Sequence, residues 1–185
     1  FTSLMFDGSS LPLEENINMS ARIARAAHAC GIPMEAELGK IPRIEDFDSL
    51  LPARYESNRK LPEDVQRRVK ELMADPDHAE QFCERTQCDS LAVAIGSVHG
   101  MKHDVQPLNT GRLAALDERT GVPLVLHGAS GVIRTRQEAD EAGITLAPDE
   151  GTLDEAIRCG VAKVNVGTEV GLRMIRGMQG ALREY

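Results

Sequence analysis

The chain has 185 residues and carries 21 Lys and Arg against 29 Asp and Glu, a formal charge of −8. That acidic balance argues against a partner with a phosphate backbone, which calls for a basic face, so no nucleic acid is expected. No apolar run approaches the roughly 18–20 residues needed to cross a bilayer, and no membrane partner is expected either. The first residues lack the basic start and apolar core of a secretory signal, and Cys30, Cys83, Cys88 and Cys159 form no C-x-x-C. Free thiols in a reducing, cytoplasmic setting are expected.

In chain order, short apolar runs alternate with longer amphipathic ones. Phe1–Phe6 reads as a strand ending at Asp7-Gly8-Ser9-Ser10. Glu14–Cys30 then predicts a helix, with Ile17, Ile23, Ala24 and Ala27 at helical spacing and Gly31 just past its end. Pro33–Leu38 is a second strand, and Gly39–Leu61 a Pro-punctuated loop. Pro62–Met73 and Asp77–Arg85 are helices, the second capped by Asp75, and the charged stretch Arg54–Lys70 is solvated surface or an excursion over the mouth of the fold. Asp89–Ile95 is a buried strand ending at Gly96-Ser97-Val98-His99-Gly100. After a helix at Thr110–Thr120, the strand Val122–Leu126 ends at His127-Gly128-Ala129-Ser130-Gly131. Short helices at Thr135–Ala142 and Thr152–Cys159 lead to the last strand, Val161–Val166, and a final helix from Glu169 to Tyr185.

Strands alternating with helices predict a parallel sheet with right-handed crossovers. Each strand ends in a group capable of chemistry: Asp7, Glu37, His99, His127 and Asn165. Parallel strands bring these ends to one rim, which is the active rim of a (β/α)8 TIM barrel. A doubly wound sheet would gather function at one switch point, and no G-x-G-x-x-G follows the first strand. The expected fold is therefore a TIM barrel. Only five strands are visible, whereas a barrel takes about 250 residues. With no initiator Met and a start inside an apolar run, about three strands are expected upstream, leaving residues 1–185 as one partial barrel domain.

The rim residues carry the candidate chemistry. His99 and His127 end consecutive strands, about 4.8 Å apart in a sheet, so their imidazoles can meet at one metal ion. Two ligands fall short of the three protein ligands that catalytic zinc usually keeps. Asp7 and Glu37 are carboxylates suited to metal ligation, to holding a His, or to acid–base work. The loops at Gly128-Ala129-Ser130 and Asn165-Val166-Gly167-Thr168, the second running into a helix N-terminus, offer backbone N–H groups and hydroxyls to a phosphate. His28 and His78 read as solvated and His103 as a weak rim contact. Lys163 shares a face with Asn165, so a lysine-based mechanism stays open on pattern alone.

The segments FDGSSLPLEENI, EAELG, DSLAVAIGSVHG, PLVLHGASG and VAKVNVGTEV, in this order, resemble the class II, zinc-dependent ketose-bisphosphate aldolases of the fructose and tagatose type. The resemblance implies a TIM barrel to which this chain supplies strands 4 to 8. It implies zinc on His99 and His127, with Asp7 and Glu37 as acidic residues at an alternate metal position or behind the metal. It implies substrate phosphate on Gly100, Gly128, Ser130, Asn165, Val166, Gly167 and Thr168. In some members the backbone around Val98, Gly100 and Gly128 holds Na+ or K+. The implied reaction is reversible cleavage of a ketose bisphosphate to dihydroxyacetone phosphate and an aldehyde phosphate, by a homodimer or homotetramer; a Lys Schiff base is disfavoured. Alternatives are a catalytically incomplete aldolase-like protein and another metal-dependent phosphosugar enzyme, such as an epimerase. A His-Leu-Asp-His-type motif, bearing the third ligand and a catalytic Asp, is expected upstream of Phe1. Ala129 replaces a family Gly and is expected to narrow the phosphate loop or alter the substrate. The stretches Ile41–Met73 and Arg134–Thr152 look long for the family.

Overall fold

A computed structural model describes residues 1–51, 60–103 and 105–183. The chain runs β1 (Leu4–Phe6), α1 (Leu13–Ala29), β2 (Met34–Leu38), a 3-10 turn (Ile44–Phe47), α2 (Glu63–Glu71), α3 (Pro76–Thr86) and β3 (Ser90–Val93). It continues through β4 (Leu108–Asn109), α4 (Thr110–Thr120), β5 (Leu124–Leu126), α5 (Arg136–Glu141), β6 (Glu150–Gly151), α6 (Leu153–Arg158), β7 (Val161–Val164) and α7 (Thr168–Arg183). The expected surface reading of residues 54–59 and the end of the last helix at 184–185 lie outside the described residues.

Five strands form one parallel sheet in the order β1-β2-β3-β5-β7, which apart from two short intervening strands is chain order. This is the α/β architecture expected from the alternation. The unforeseen part is a two-stranded antiparallel ribbon, Leu108–Asn109 with Glu150–Gly151. Two-residue strands carry no readable periodicity, so the sequence could not announce them. The strands also stop earlier than their apolar runs: Ala94 and Ile95 lie beyond β3 yet remain buried.

The helix starts follow their predicted chemistry. Asp75 accepts hydrogen bonds from Asp77 N at 2.9 Å and His78 N at 3.2 Å and caps α3. Thr152 and Glu155 form a capping box at α6. Pro62 sits at the cap of α2 instead of inside its first turn.

The helices cover one face of the sheet. Met34, Ala36 and Leu38 of β2, Leu91 and Val93 of β3, and Leu124 and Leu126 of β5 join Ile17, Phe82, Leu113 and Leu116 from the helices in the main core. Each such fully buried aliphatic side chain contributes about 1.5–3 kcal/mol. The core is aliphatic, as a chain with 3% aromatic residues must make it. All four cysteines are free, Cys83 and Cys88 buried within that core.

The other face is concave. Lys163 on β7 touches Glu35 on β2, although β3 and β5 lie between them. In a flat sheet those strands would stand about 14 Å apart at the usual spacing. The sheet therefore curls, and the side chains opposite the helices converge. α7 ends the described chain with Val170, Met174, Ile175, Met178 and Leu182 all exposed.

Candidate functional site

Alternation along β2 decides what enters the concavity. Because Met34, Ala36 and Leu38 fill the core, Glu35 and Glu37 face the opposite way, and they are 6% and 4% exposed. Buried carboxylates are costly unless paired. The end of β5 supplies the partner. His127 Nε2 lies 2.8 Å from Glu35 Oε1, and its Nδ1 lies 3.1 Å from Glu37 Oε2. Lys163 Nζ donates to Glu35 Oε2 at 2.6 Å, and the Asn165 amide is 2.8 Å from His127 Nε2.

These contacts set the protonation. The hydrogen bonds to Glu35 and then Glu37 outweigh burial and push His127 up to about 9. Burial pulls the Glu35 carboxyl upward, but hydrogen bonds from His127 and Lys163 prevail and hold it below the ordinary carboxylate value. The two carboxylates that clamp His127 thus favour its protonated form.

His99 is positioned by its backbone. Its N–H donates to Pro42 O at 2.8 Å, and its carbonyl accepts from Ile44 N at 2.9 Å. Burial lowers its pKa, while the negative charge of Glu37 partly opposes that. That direction favours the neutral ring, the form that ligates a metal. Gly128 beside it is held at φ +66°, a left-handed conformation that favours glycine; a Cβ there would meet Ile41 Cγ2 at 3.3 Å and only touch His99 Nδ1 at 3.5 Å.

Asp7 is placed less deeply than Glu37. It is exposed, and its Oδ1 accepts from Ser9 N at 2.9 Å and Ser9 Oγ at 2.6 Å. Its charge still acts on His99. The loop it begins explains the spacing of FDGSSLPLEENI. An added Cβ on Gly8 would meet Asn16 Oδ1 at 2.1 Å, so only glycine lets Asn16 approach. Asn16, itself buried, donates to Glu37 O at 3.0 Å and accepts from Ser20 Oγ at 3.0 Å.

His99 and His127 line one open cleft of about 240 Å³ together with Gly100, Gly128, Ser130, Asn165, Val166, Gly167 and Thr168. All seven positions expected to hold phosphate are thus beside the two imidazoles. Two imidazoles next to buried carboxylates form a nitrogen and oxygen donor set that suits zinc. His127 would have to lose its proton and give up one carboxylate contact to serve. Among the described residues no group of three or more His, Cys, Asp and Glu side chains is arranged to hold a metal ion.

The structure adds Glu35, Asn16 and a role for Lys163. Alternation with Glu37 was the available signal for Glu35. The partner of Lys163 sits 128 residues away, beyond any local pattern. One expectation is corrected. Ala129 is 6% exposed and packs in the main core, so its methyl points away from the phosphate loop and does not narrow it. His28 is exposed, as expected, and its Nε2 also lies 2.8 Å from Asp89 Oδ2.

The model of the class-II fructose-bisphosphate aldolase family matches residues 1–185. The chain is 36% identical over 169 residues to a 6-phospho-5-dehydro-2-deoxy-D-gluconate aldolase of Shouchella clausii, covering 91% of this chain and 46% of that protein. It is 34% identical over 182 residues to a fructose-bisphosphate aldolase of Helicobacter pylori, covering 95% and 54%. Among solved structures, the YdjI aldolase of Escherichia coli superposes with a TM-score of 0.62 at 32% identity, over 97% of this chain and 49% of that one. The chain spans about half the length of these relatives.

Proposed function

Because this chain belongs to the class-II fructose-bisphosphate aldolase family, we propose that it supplies the phosphate-binding and metal-binding half of an aldolase that reversibly cleaves a phosphorylated ketose, a carbon–carbon lyase. The observation that carries this reading is the single cleft in which His99 and His127 stand beside the seven loop residues. The curled sheet, its strands parallel and in chain order, is read as strands 4 to 8 of a TIM barrel. The contact of Glu35 with Lys163 supports that curvature.

In this reading His99 and His127 hold zinc, with Glu37 and Asp7 as the nearby carboxylates. Zinc, when bound, supplies a Lewis acid that stabilises negative charge growing on the ketose oxygens. The chain's own residues do the rest. Gly100, Gly128, Ser130 and Val166–Thr168 anchor the phosphate through backbone N–H groups and hydroxyls, aided by the N-terminus of α7, which fixes the ketose relative to the imidazoles. Asn165 is placed to hydrogen-bond a substrate oxygen next to His127. Glu35, braced by Lys163, orients His127 as outer carboxylates orient metal-bound histidines. Glu37, whose Oε2 lies 3.1 Å from His127 Nδ1, is the second carboxylate that orients that ring.

The test is made on the complete gene product. Zinc content and cleavage of fructose bisphosphate, tagatose bisphosphate and 6-phospho-5-dehydro-2-deoxygluconate are measured before and after chelation. The reading expects aldol cleavage of one of these, abolished by chelation and restored by zinc. Full activity after verified metal removal would sink it. The choice among the three substrates is made by the same panel, since the relatives' names differ on it.

A further inference from the structure

The loop after β2 brings an arginine alongside His99. Two backbone hydrogen bonds, His99 N to Pro42 O at 2.8 Å and Ile44 N to His99 O at 2.9 Å, make Arg43 and His99 opposed partners in a parallel bridge. The pleats of parallel neighbours run in phase, so the side chains of opposed residues leave on the same side. His99 lines the cleft, and Arg43 therefore leaves on the cleft side as well. Its positive charge is felt there: after burial, Arg43 lowers the His99 pKa more than His127 does. The loop is fixed from below. Ile44 and Phe47 are buried in a second apolar cluster, and Arg43 N donates to Asp46 Oδ2 at 2.9 Å.

Arg43 is exposed and has no ion-pair partner among the described residues. Its place in the sheet gives it a direction. In the order β1-β2-β3-β5-β7, His99 follows β3 and His127 follows β5, while Ser130 and Thr168 of the phosphate loops follow β5 and β7. Arg43 follows β2, so it flanks the imidazoles on the side away from those loops. A substrate with its phosphate in the loops and its carbonyl at the imidazoles runs toward Arg43 with its far end. Charge then selects the chemistry of that end. One guanidinium matches one carboxylate, fork to fork, with the charges balanced. A phosphate dianion would leave surplus negative charge beside Glu37 and Asp7, which already act on His99, and beside Glu45, whose carboxylate borders Gly100.

We propose that Arg43 sets the specificity of this site by pairing with a carboxylate at the far end of the substrate, which makes the substrate class a phosphorylated keto sugar acid instead of a ketose bisphosphate. The inference rests on the aldolase reading above for the course of the substrate through the cleft. The pair forms without proton transfer, since guanidinium and carboxylate are both ionised at neutral pH. Backbone hydrogen bonds and the buried Ile44 and Phe47 hold the loop, so replacing the exposed Arg43 side chain is read in binding and leaves the loop in place.

The test is calorimetric titration of the complete, zinc-loaded protein with 6-phosphogluconate, sorbitol 6-phosphate and sorbitol 1,6-bisphosphate. These sugar phosphates have no ketone to cleave, and they differ only at the far end: a carboxylate, a hydroxymethyl group or a second phosphate. Wild type is expected to bind 6-phosphogluconate at least tenfold more tightly than either of the others. Arg43→Gln, checked for fold by circular dichroism, should lose that preference while binding sorbitol 6-phosphate as wild type does. Equal binding of the carboxylate and hydroxymethyl probes by wild type overturns the proposal. So does a preference that survives in Arg43→Gln, or a bisphosphate bound as tightly as 6-phosphogluconate. Cleavage assays keep the two readings apart. A ketose cleaved without any Arg43-dependent preference overturns this inference alone. An Arg43-dependent preference with no ketose cleaved defeats the aldolase reading and leaves the carboxylate site standing.

Discussion

Lys163 Nζ stands 2.6 Å from Glu35 Oε2, joining a half-exposed ammonium on β7 to a buried carboxylate on β2. The pair holds the curl of the sheet and braces His127 through the other Glu35 oxygen. The two ends of the pair are not equivalent. Replacing Lys163 by Met removes a partner that is 54% exposed, and solvent screening limits the loss to about 1 kcal/mol. Replacing Glu35 by Ala removes a buried carboxylate that pairs with both His127 and Lys163 and costs about 2–4 kcal/mol. Urea midpoints of the two variants should separate in that order. An equal loss would show that the interaction is not governed by burial. Borohydride treatment with substrate should leave no adduct on Lys163, whose amine is engaged as a counter-ion.

Gly128 and Ala129 are neighbours with opposite duties. Gly128 is left-handed and faces the cleft, whereas the Ala129 methyl packs in the core. Gly128→Ala should cost about 1–2 kcal/mol in backbone strain. The added methyl would press on Ile41 Cγ2 at 3.3 Å and only touch Ser97 and His99, so metal binding and activity should change by no more than severalfold. Ala129→Gly removes a buried methyl and adds backbone freedom, a loss of about 1–2 kcal/mol, with KM for the phosphorylated substrate unchanged within twofold. Denaturation and steady-state kinetics on both variants check the assignment; a large KM change for Ala129→Gly would restore the narrowing expected from sequence.

Gly8 and Asn16 predict a non-additive pair. Asn16→Ala leaves the Glu37 carbonyl and the Ser20 hydroxyl without their partner, at about 1–3 kcal/mol. Gly8→Ala places a Cβ where Asn16 Oδ1 now lies and expels the same side chain. The double variant should therefore lose clearly less than the sum of the singles, as residues acting through one contact do. Thermal or chemical denaturation closes the cycle, and strict additivity would separate the two residues.

Much of this site was legible because strand periodicity is a short-range signal. Asp7, Glu37, His99, His127 and Asn165 each end an apolar run, and parallel pairing brings such ends to one edge whatever the helices do between them. The glycines of the two loops were legible for the same reason. What escaped lies in side-chain reach across non-neighbouring strands. Glu35 and Lys163 look like unremarkable strand charges until curvature brings them together. Ala129 was misread because a loop residue's facing is fixed by its backbone dihedrals, which residue type alone does not reveal. The ribbon of β4 and β6 is built from two-residue strands, below the length at which alternation can be read.

Asp89 ties the start of the sheet to the end of α1 and gives stability a defined acid limb. Its Oδ2 accepts from Met34 N at 2.7 Å and lies 2.8 Å from His28 Nε2. The Met34 N–H first, and His28 second, hold the carboxyl below its ordinary value. A lowered folded pKa means that the ionised form is favoured by folding. Its contribution is therefore present above the unfolded value of about 3.9 and is lost as pH falls through the lower folded one. The side chain is 44% exposed, so screening holds the charge contribution to about 1 kcal/mol. Asp89→Asn should be less stable than wild type by about that amount at pH 7 and pH 5, and the gap should narrow steadily toward pH 3. Urea unfolding at the three pH values measures it. A gap that stayed constant to pH 3 would place the effect in the shape of the side chain and remove the carboxylate's charge from the account.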